Sequence, residues 1–252
     1  MPECLWEGFF SNAQLSRWYK AMPLRFACRK FSAPADVAQQ SALAYTAARV
    51  SLPGVRLALL DCDWNKLFFP LPFVPAIEYA RQYAAVIIDL ETENVLLNAG
   101  VCAEALVLEM TSQGLGSCWV QANFRRSEVD IPLSSREKIL AVIPYGHAST
   151  DENVSARKRK PLKSLCLDTP DTWPNWAFQA AEAVRSAPSA LNSQPWRFSY
   201  SGNTLRLSGR GFGNVNFGIA ALHIECALHE LQHQWRFSTD GKGLLISIKE
   251  ET

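Results

Sequence analysis

The sequence predicts an α+β protein written as two pseudo-symmetric halves, with helices on mainly antiparallel or mixed sheets. Three observations carry that expectation. At 252 residues, with 48% hydrophobic and 19% charged residues, the chain has ample material for a large core. Residues 98–119 (NAGVCAEALVLEMTSQGLGSCW) and 216–235 (NFGIAALHIECALHELQHQW) both begin Asn-x-Gly, run as a largely apolar helix and close on Trp. The elements flanking these two helices also recur in the same order.

Within the first half, Ala47-Ala48-Arg49 ends a helix, Pro53 follows, and a strand is expected at 55–60. Residues 61–80 form an insertion in which Pro70, Pro72 and Pro75 sit among Phe68, Phe69 and Phe73. Proline fixes φ and removes a donor, so a loop or lid is expected there, either free or packed on the body. The helix 98–119 is apolar on several faces and must be buried, with Gly100 permitting close backbone approach. A strand opens at Trp119 and a terminal β-branched strand is expected at 138–143. The polar, basic and then proline-bearing stretch 147–172 has the composition of a connector. In the second half Ala183-Val184-Arg185 and Pro188 precede a strand at 196–200. The buried helix with Gly218 comes next, then a strand at Trp235 and a last one at 244–248. Each half therefore reads helix, strand, long helix, strand, strand, with the halves at 1–150 and 151–252.

Composition excludes several classes of function. A formal net charge of +1 provides no general attraction to nucleic acid or anionic membrane, so neither is expected as a partner. The N-terminus lacks a basic region followed by an apolar run, no stretch reads as a membrane span, and a cytoplasmic location is expected. Seven scattered cysteines without a Cys-x-x-Cys pair read as reduced, mostly buried thiols, with Cys102 and Cys226 in core helices. His223, His229 and His233 recur at helical spacing. The last two could ligate a metal, yet no third ligand is near, and no metal site is expected. Gly209-Arg-Gly-Phe-Gly lies between a strand and a buried helix and reads as a turn. Without a Gly-x-Gly-x-x-Gly element opening a helix, a Rossmann dinucleotide site is not expected.

The most informative stretch is 185–198, RSAPSALNSQPWRF, where two prolines and a set of small polar groups lie between a helix and a strand. Pro188 and Pro195 stiffen the loop, and Ser189, Asn192, Ser193 and Gln194 supply donors and acceptors suited to a planar polar ligand edge. The same composition also suits a plain helix-to-strand turn. The run Pro188, Ser189, Ala190, Asn192, Gln194 within 187–196 resembles the Ala-Pro-Ser-x-x-Asn-x-Gln-Pro-Trp loop of the nitroreductase family of flavin enzymes. Residues 25–31, RFACRKF, resemble that family's arginine-rich N-terminal element, with Arg25 and Arg29 at the phosphate-binding positions. Phe26 lies between them, and Ala27 stands where a serine is usual. Arg157 and Arg159 resemble the basic segment that closes over the same phosphate, and forked guanidiniums suit a phosphate dianion. Residues 114–121, GLGSCWVQ, resemble the family's segment beneath the flavin, which makes Trp119, Val120 and Gln121 expected flavin neighbours.

The resemblance covers about residues 15–250 and is greatest to nitroreductases built as a fused pseudo-dimer. In nitroreductases generally two subunits share each flavin site. Here the first half keeps the arginine element but has VSLPGVR in place of the polar loop, and the second half keeps the loop but has no arginine at 171–178. A fused pair is free to lose one of its two sites, so the resemblance implies one FMN per chain at the interface of the halves. It further implies an oxidoreductase that takes hydride from NAD(P)H and passes electrons to a small nitroaromatic or quinone-like acceptor. The flavin N5 carries the chemistry and no protein residue is catalytic. An aromatic acceptor pocket is expected from Trp64, Phe68, Phe69 and Phe73. A monomer is expected, with a homodimer left open. Two alternatives stand beside this reading: a flavin-binding protein that stores or senses FMN, and a degenerate scaffold.

Overall fold

The computed structural model of the protein describes residue 6, residues 8–150 and residues 158–249. The chain forms two compact units, a continuous one of 24–156 and a split one that joins 1–23 to 157–252. The first 23 residues thus group with the later part of the chain, whereas the sequence reading placed them in a 1–150 half. Helix α1 (Asn12–Ala21) is the reason, since it buries Leu15, Trp18 and Ala21 and packs on a later helix of the split unit. It opens on a capping box in which the Ser11 amide donates to Gln14 Oε1 (3.0 Å) and the Gln14 amide donates to Ser11 Oγ (3.4 Å).

The continuous unit contains β1 (Phe31–Ala33), α2 (Val37–Arg49), β2 (Val55–Asp61), α3 (Trp64–Leu67), β3 (Gln82–Asp89), α4 (Val95–Ser112), β4 (Gly116–Ser117) and β5 (Glu137–Ala148). Its sheet runs β1-β5-β3-β2, with β4 also on β5. Strand β3 is an addition to the order expected from sequence. Seven consecutive residues from Gln82 to Ile88 are buried, so the alternation that marks a half-exposed strand is missing. Tyr83, Ala85 and Ile87 face a cluster with Leu67, Phe68, Phe124 and Val142, while α4 packs on the same strand. Helix α4 buries residues all round, as its composition predicts. It ends where Gly114 turns left-handed at φ +76° and the Leu115 amide donates back to the Met110 carbonyl (2.9 Å).

The remaining elements form the split unit: α5 (Asn175–Val184), β6 (Trp196–Ser201), β7 (Thr204–Gly209), α6 (Val215–Glu230), β8 (Trp235–Thr239) and β9 (Gly243–Ile248). Helix α6 is the partner of both α1 and α5. The sheet order is β6-β7-β9-β8, and β7, like β3, is a strand the sequence reading did not resolve. With these two strands included, both units contain helix, strand, strand, helix, strand, strand. Both also connect them alike, since β2-β3-β5-β4 matches β6-β7-β9-β8. All pairs of named strands are antiparallel, so the mixed-sheet alternative falls. Among the described residues, parallel contacts are confined to isolated bridges such as Ala27–Ser117.

The insertion at 61–80 is a packed loop with one helical turn, α3. Leu67, Phe68, Ile77 and Ala80 are buried, and Arg125 clamps the turn by donating from Nη1 to the Lys66 carbonyl (2.6 Å). Phe68 belongs to the core and Phe73, at φ +63°, is fully exposed. They cannot line one open acceptor pocket with Trp64 and Phe69, and that expectation is corrected. The described parts of the connector are more ordered than its composition suggested, because β5 reaches Ala148 and short 3-10 turns form at Leu162–Ser164 and Pro170–Thr172. Of the cysteines, 28, 102, 118 and 226 are buried and 62 and 166 half-buried, while Cys4 lies outside the described residues. Residues 210–213 form the expected turn.

Candidate functional site

The sequence-predicted site residues fall into two clusters, one in each unit. In the continuous unit, 25–30 runs beside the segment that follows α4. The Cys28 amide donates to the Ser117 carbonyl (2.9 Å), and Ala27 bridges Ser117 in parallel. Val120 exchanges backbone bonds with Val142 of β5 (both 2.9 Å). The close approach depends on Gly116, where a Cβ would stand 2.6 Å from Cys28 Cβ. Strand β4 stops at Ser117, so Trp119 follows the strand instead of opening it.

Arg25 is 6% exposed. Its Nε lies 3.8 Å from Glu104 Oε1, and neither Nε nor Nη2 has a hydrogen-bond partner. Desolvation lowers its pKa, with the Glu104 charge acting in the opposite sense. Glu104, on α4 and fully buried, accepts from Trp119 Nε1 (3.0 Å). A buried guanidinium with unfilled donors is the kind of group that an anion completes. Phe26, Ala27, Arg29 and Trp119 are half-buried and Gln121 is exposed. Arg29 Nη1 makes a long contact, 3.5 Å, to the Ala27 carbonyl.

In the split unit the loop after α5 carries the second cluster. Leu191, Asn192 and Gln194 all have positive φ, at 51°, 53° and 47°, and the Leu191 side chain is 93% exposed. An exposed leucine in left-handed backbone is unfavourable by itself and persists only where surrounding bonds hold it. Those bonds come from 158–160. Arg159 Nη1 donates to Asn192 Oδ1 (2.9 Å) and its Nη2 to the Ser186 carbonyl (2.9 Å). The Lys160 amide donates to Gln194 Oε1 (2.9 Å), and Asn192 Nδ2 donates to the Lys158 carbonyl (2.9 Å). Ser189 Oγ accepts from the Gln194 amide (3.0 Å). Helix α6 anchors the loop from below, since the Ala190 amide donates to Asn216 Oδ1 (3.0 Å).

The structure thus brings Arg159 to the loop from thirty-three residues away. It also ties the polar side chains of Ser189, Asn192 and Gln194 into the loop's own scaffold. Arg157 lies outside the described residues. Gly209 closes the loop: at φ +140°, a Cβ there would overlap the Pro195 carbonyl oxygen. Sequence reasoning placed Gly209 in a turn without this packing, because Pro195, just before β6, meets it only through strand pairing.

The counterpart turn in the continuous unit is different. Leu52 is buried and its amide donates to Cys102 Sγ (3.3 Å). Asn98 Nδ2 donates to the Pro53 carbonyl (3.0 Å), whereas Asn216 of α6 accepts from the Ala190 amide in the other unit.

His229 and His233, read from sequence as an i, i+4 pair at a helix end with no metal site expected, do not share a helical face. Helix α6 ends at Glu230, Gln232 turns left-handed at φ +61°, and the His233 amide donates to the Leu228 carbonyl (3.1 Å). His229 Nε2 instead shares a hydrogen bond with Ser16 Oγ (3.0 Å), and both imidazoles border a hollow of about 430 Å³ with Trp235 and Lys249. Among the described residues no group of three or more metal-ligating side chains converges.

Comparison with known proteins places the chain. No curated protein matches its sequence. Among solved structures it is similar to a putative nitroreductase of Thermotoga maritima, at 21% identity over 91% of this chain and 92% of that one, with a TM-score of 0.65. A nitroreductase family protein of Streptococcus pneumoniae aligns at 17% identity over 60% of this chain and 98% of its own, with a TM-score of 0.47. A structure from Clostridium difficile named FMN-dependent nitroreductase aligns at 20% identity over 57% of this chain and 91% of its own, with a TM-score of 0.44. The family model described as "Putative TM nitroreductase" matches residues 17–228. The chain belongs to that nitroreductase family.

Proposed function

We propose that the protein is an FMN-binding oxidoreductase, with one FMN per chain held by segments of both halves of an internal pseudo-dimer. Electrons come from NAD(P)H and pass to a small nitroaromatic or quinone-like acceptor. The carrying observation is the loop at 187–196, whose three left-handed residues are held by Arg159 and Lys160 and anchored on Asn216. Strain maintained by surrounding bonds is characteristic of a ligand-binding segment.

The residues present fit the cofactor. Arg25 offers buried, unfilled guanidinium donors for a phosphate, with Arg29 four residues on. Trp119, Val120 and Gln121 form a stretch on the rigid β5 edge that can lie against a flat ring. The exposed backbone around Leu191 and Asn192 is left to meet a polar ring edge. When bound, FMN supplies the hydride and electron chemistry. The chain's own part is to orient it, supply positive charge near the phosphate, and keep the ring environment rigid. Shared topology of the two units supports the pseudo-dimer, as does the tethering of the preceding loop by an asparagine near the start of each long helix, Asn98 as donor and Asn216 as acceptor. The buried Leu52 turn supports loss of the second site.

The test is release and quantification of flavin from the purified protein, followed by anaerobic addition of NADH or NADPH. About one FMN per chain and bleaching on reduction are expected. Two per chain would refute the single surviving site. Bound FMN that no nicotinamide reduces would favour storage or sensing, and no binding of added FMN would leave a scaffold.

A further inference from the structure

The arginine assigned to the phosphate is not left alone in the core, and the residue that accompanies it is the fully buried Glu104. Its two carboxylate oxygens have different tasks. Oε2 accepts from the Trp119 indole at 3.0 Å, a full hydrogen bond. Oε1 stands 3.8 Å from Arg25 Nε, close enough for charge compensation and too far for a hydrogen bond. Arg25 is consequently neutralised while Nε and Nη2 remain without acceptors. A buried cation left with neither charge partner nor acceptor is strongly destabilising, so some counter-charge is required when no ligand is bound. A tight two-point carboxylate pair would remove that need and also use up the donors a phosphate requires. Trp119 prevents this by holding Oε2.

We propose that Glu104 is a positioning residue that acts as the internal counter-ion of Arg25 and competes with the FMN phosphate for it, with Trp119 setting how strongly it competes. The proposal rests on FMN binding as set out above. Its consequence concerns the phosphate alone. Removing the Glu104 charge leaves the bound phosphate as the principal counter-ion of Arg25, so the protein should prefer FMN over riboflavin more strongly. Removing the Trp119 N–H releases Oε2 toward Arg25, so the preference should weaken. The two effects have opposite signs although both substitutions disturb the same hydrogen bond.

The experiment measures dissociation constants of FMN and of riboflavin for the full chain, stripped of flavin, in the wild type, Glu104→Gln and Trp119→Phe. The two ligands share the ring, so the ratio of the riboflavin to the FMN dissociation constant, which rises with preference for FMN, cancels ring contacts and any uniform loss of packing. An increase of about tenfold in the ratio for Glu104→Gln, and a decrease of several-fold for Trp119→Phe, are expected for coupling of ordinary size. A purely structural role for Glu104 would weaken both ligands equally and leave the ratio unchanged, which overturns the proposal. If Glu104→Gln does not fold, Trp119→Phe decides alone: a ratio that holds or rises sinks the idea. Failure of the underlying function looks different, because the wild type would then bind neither ligand.

Discussion

Glu225, on α6 of the split unit, is fully buried, and desolvation pushes its pKa up to about 8. The Trp235 and Trp6 indoles act against that shift, but Trp6 Nε1, Trp235 Nε1 and Glu225 Oε2 all lack full hydrogen-bond geometry. The perturbation we choose is Glu225→Gln, which keeps shape and removes the titration. In the unfolded chain the carboxyl ionises near its ordinary value of 4.5, whereas the folded protein retains the proton to about 8. Between those values the unfolded state binds fewer protons, so stability falls as pH rises and levels off above about 8. At about 1.4 kcal/mol per pH unit, the proton held at pH 7 corresponds to about 3 kcal/mol. The variant lacks this loss. The assay is thermal unfolding followed by tryptophan fluorescence from pH 4 to pH 9, read as the difference in Tm between variant and wild type. That difference should be near its minimum below pH 4.5 and grow by roughly 6–12 °C by pH 7, given the usual slope for a chain of this size. A difference that does not change with pH would refute the reasoning, since it would mean that Glu225 does not take up its proton on folding.

Other outcomes follow from the same contacts. Gly209→Ala should destabilise the split unit by about 2 kcal/mol in chemical unfolding and weaken FMN retention, because the added Cβ meets the Pro195 carbonyl at a positive φ. Arg159→Ala removes two bonds that hold the 187–196 loop, and FMN should bind about tenfold more weakly by fluorescence titration with little change in Tm. Unchanged affinity would separate the loop from the cofactor. Phe68→Ala should cost about 3–4 kcal/mol on urea unfolding, as for other buried aromatics, whereas Phe73→Ala, fully exposed, should stay within about 0.5 kcal/mol. Equal effects would contradict the packing of the insertion.

The long apolar helices were legible because their composition alone demands burial. The polar loop was legible because proline and small polar residues constrain the backbone locally. Strands β3 and β7 were not read. In β3 both faces are covered, so its apolar run has no period to detect. In β7 the outward residues are themselves half-buried, as in Leu205-Arg206-Leu207-Ser208. The helical spacing of His229 and His233 is not realised for a local reason: the helix ends at Glu230 and Gln232 turns left-handed before the second histidine.

By itself the sequence determined which segments bury apolar surface and which residues bear the family's motifs, because these depend on side-chain type and short-range backbone limits. Only the tertiary structure decided that residues 1–23 group with 157–252, that Arg159 reaches Asn192, that Gly209 backs Pro195, and that Glu104 faces both Arg25 and Trp119. Each of these is a meeting of residues distant along the chain, and such contacts are selected by packing and by the need to satisfy buried polar groups, neither of which is written in any single segment.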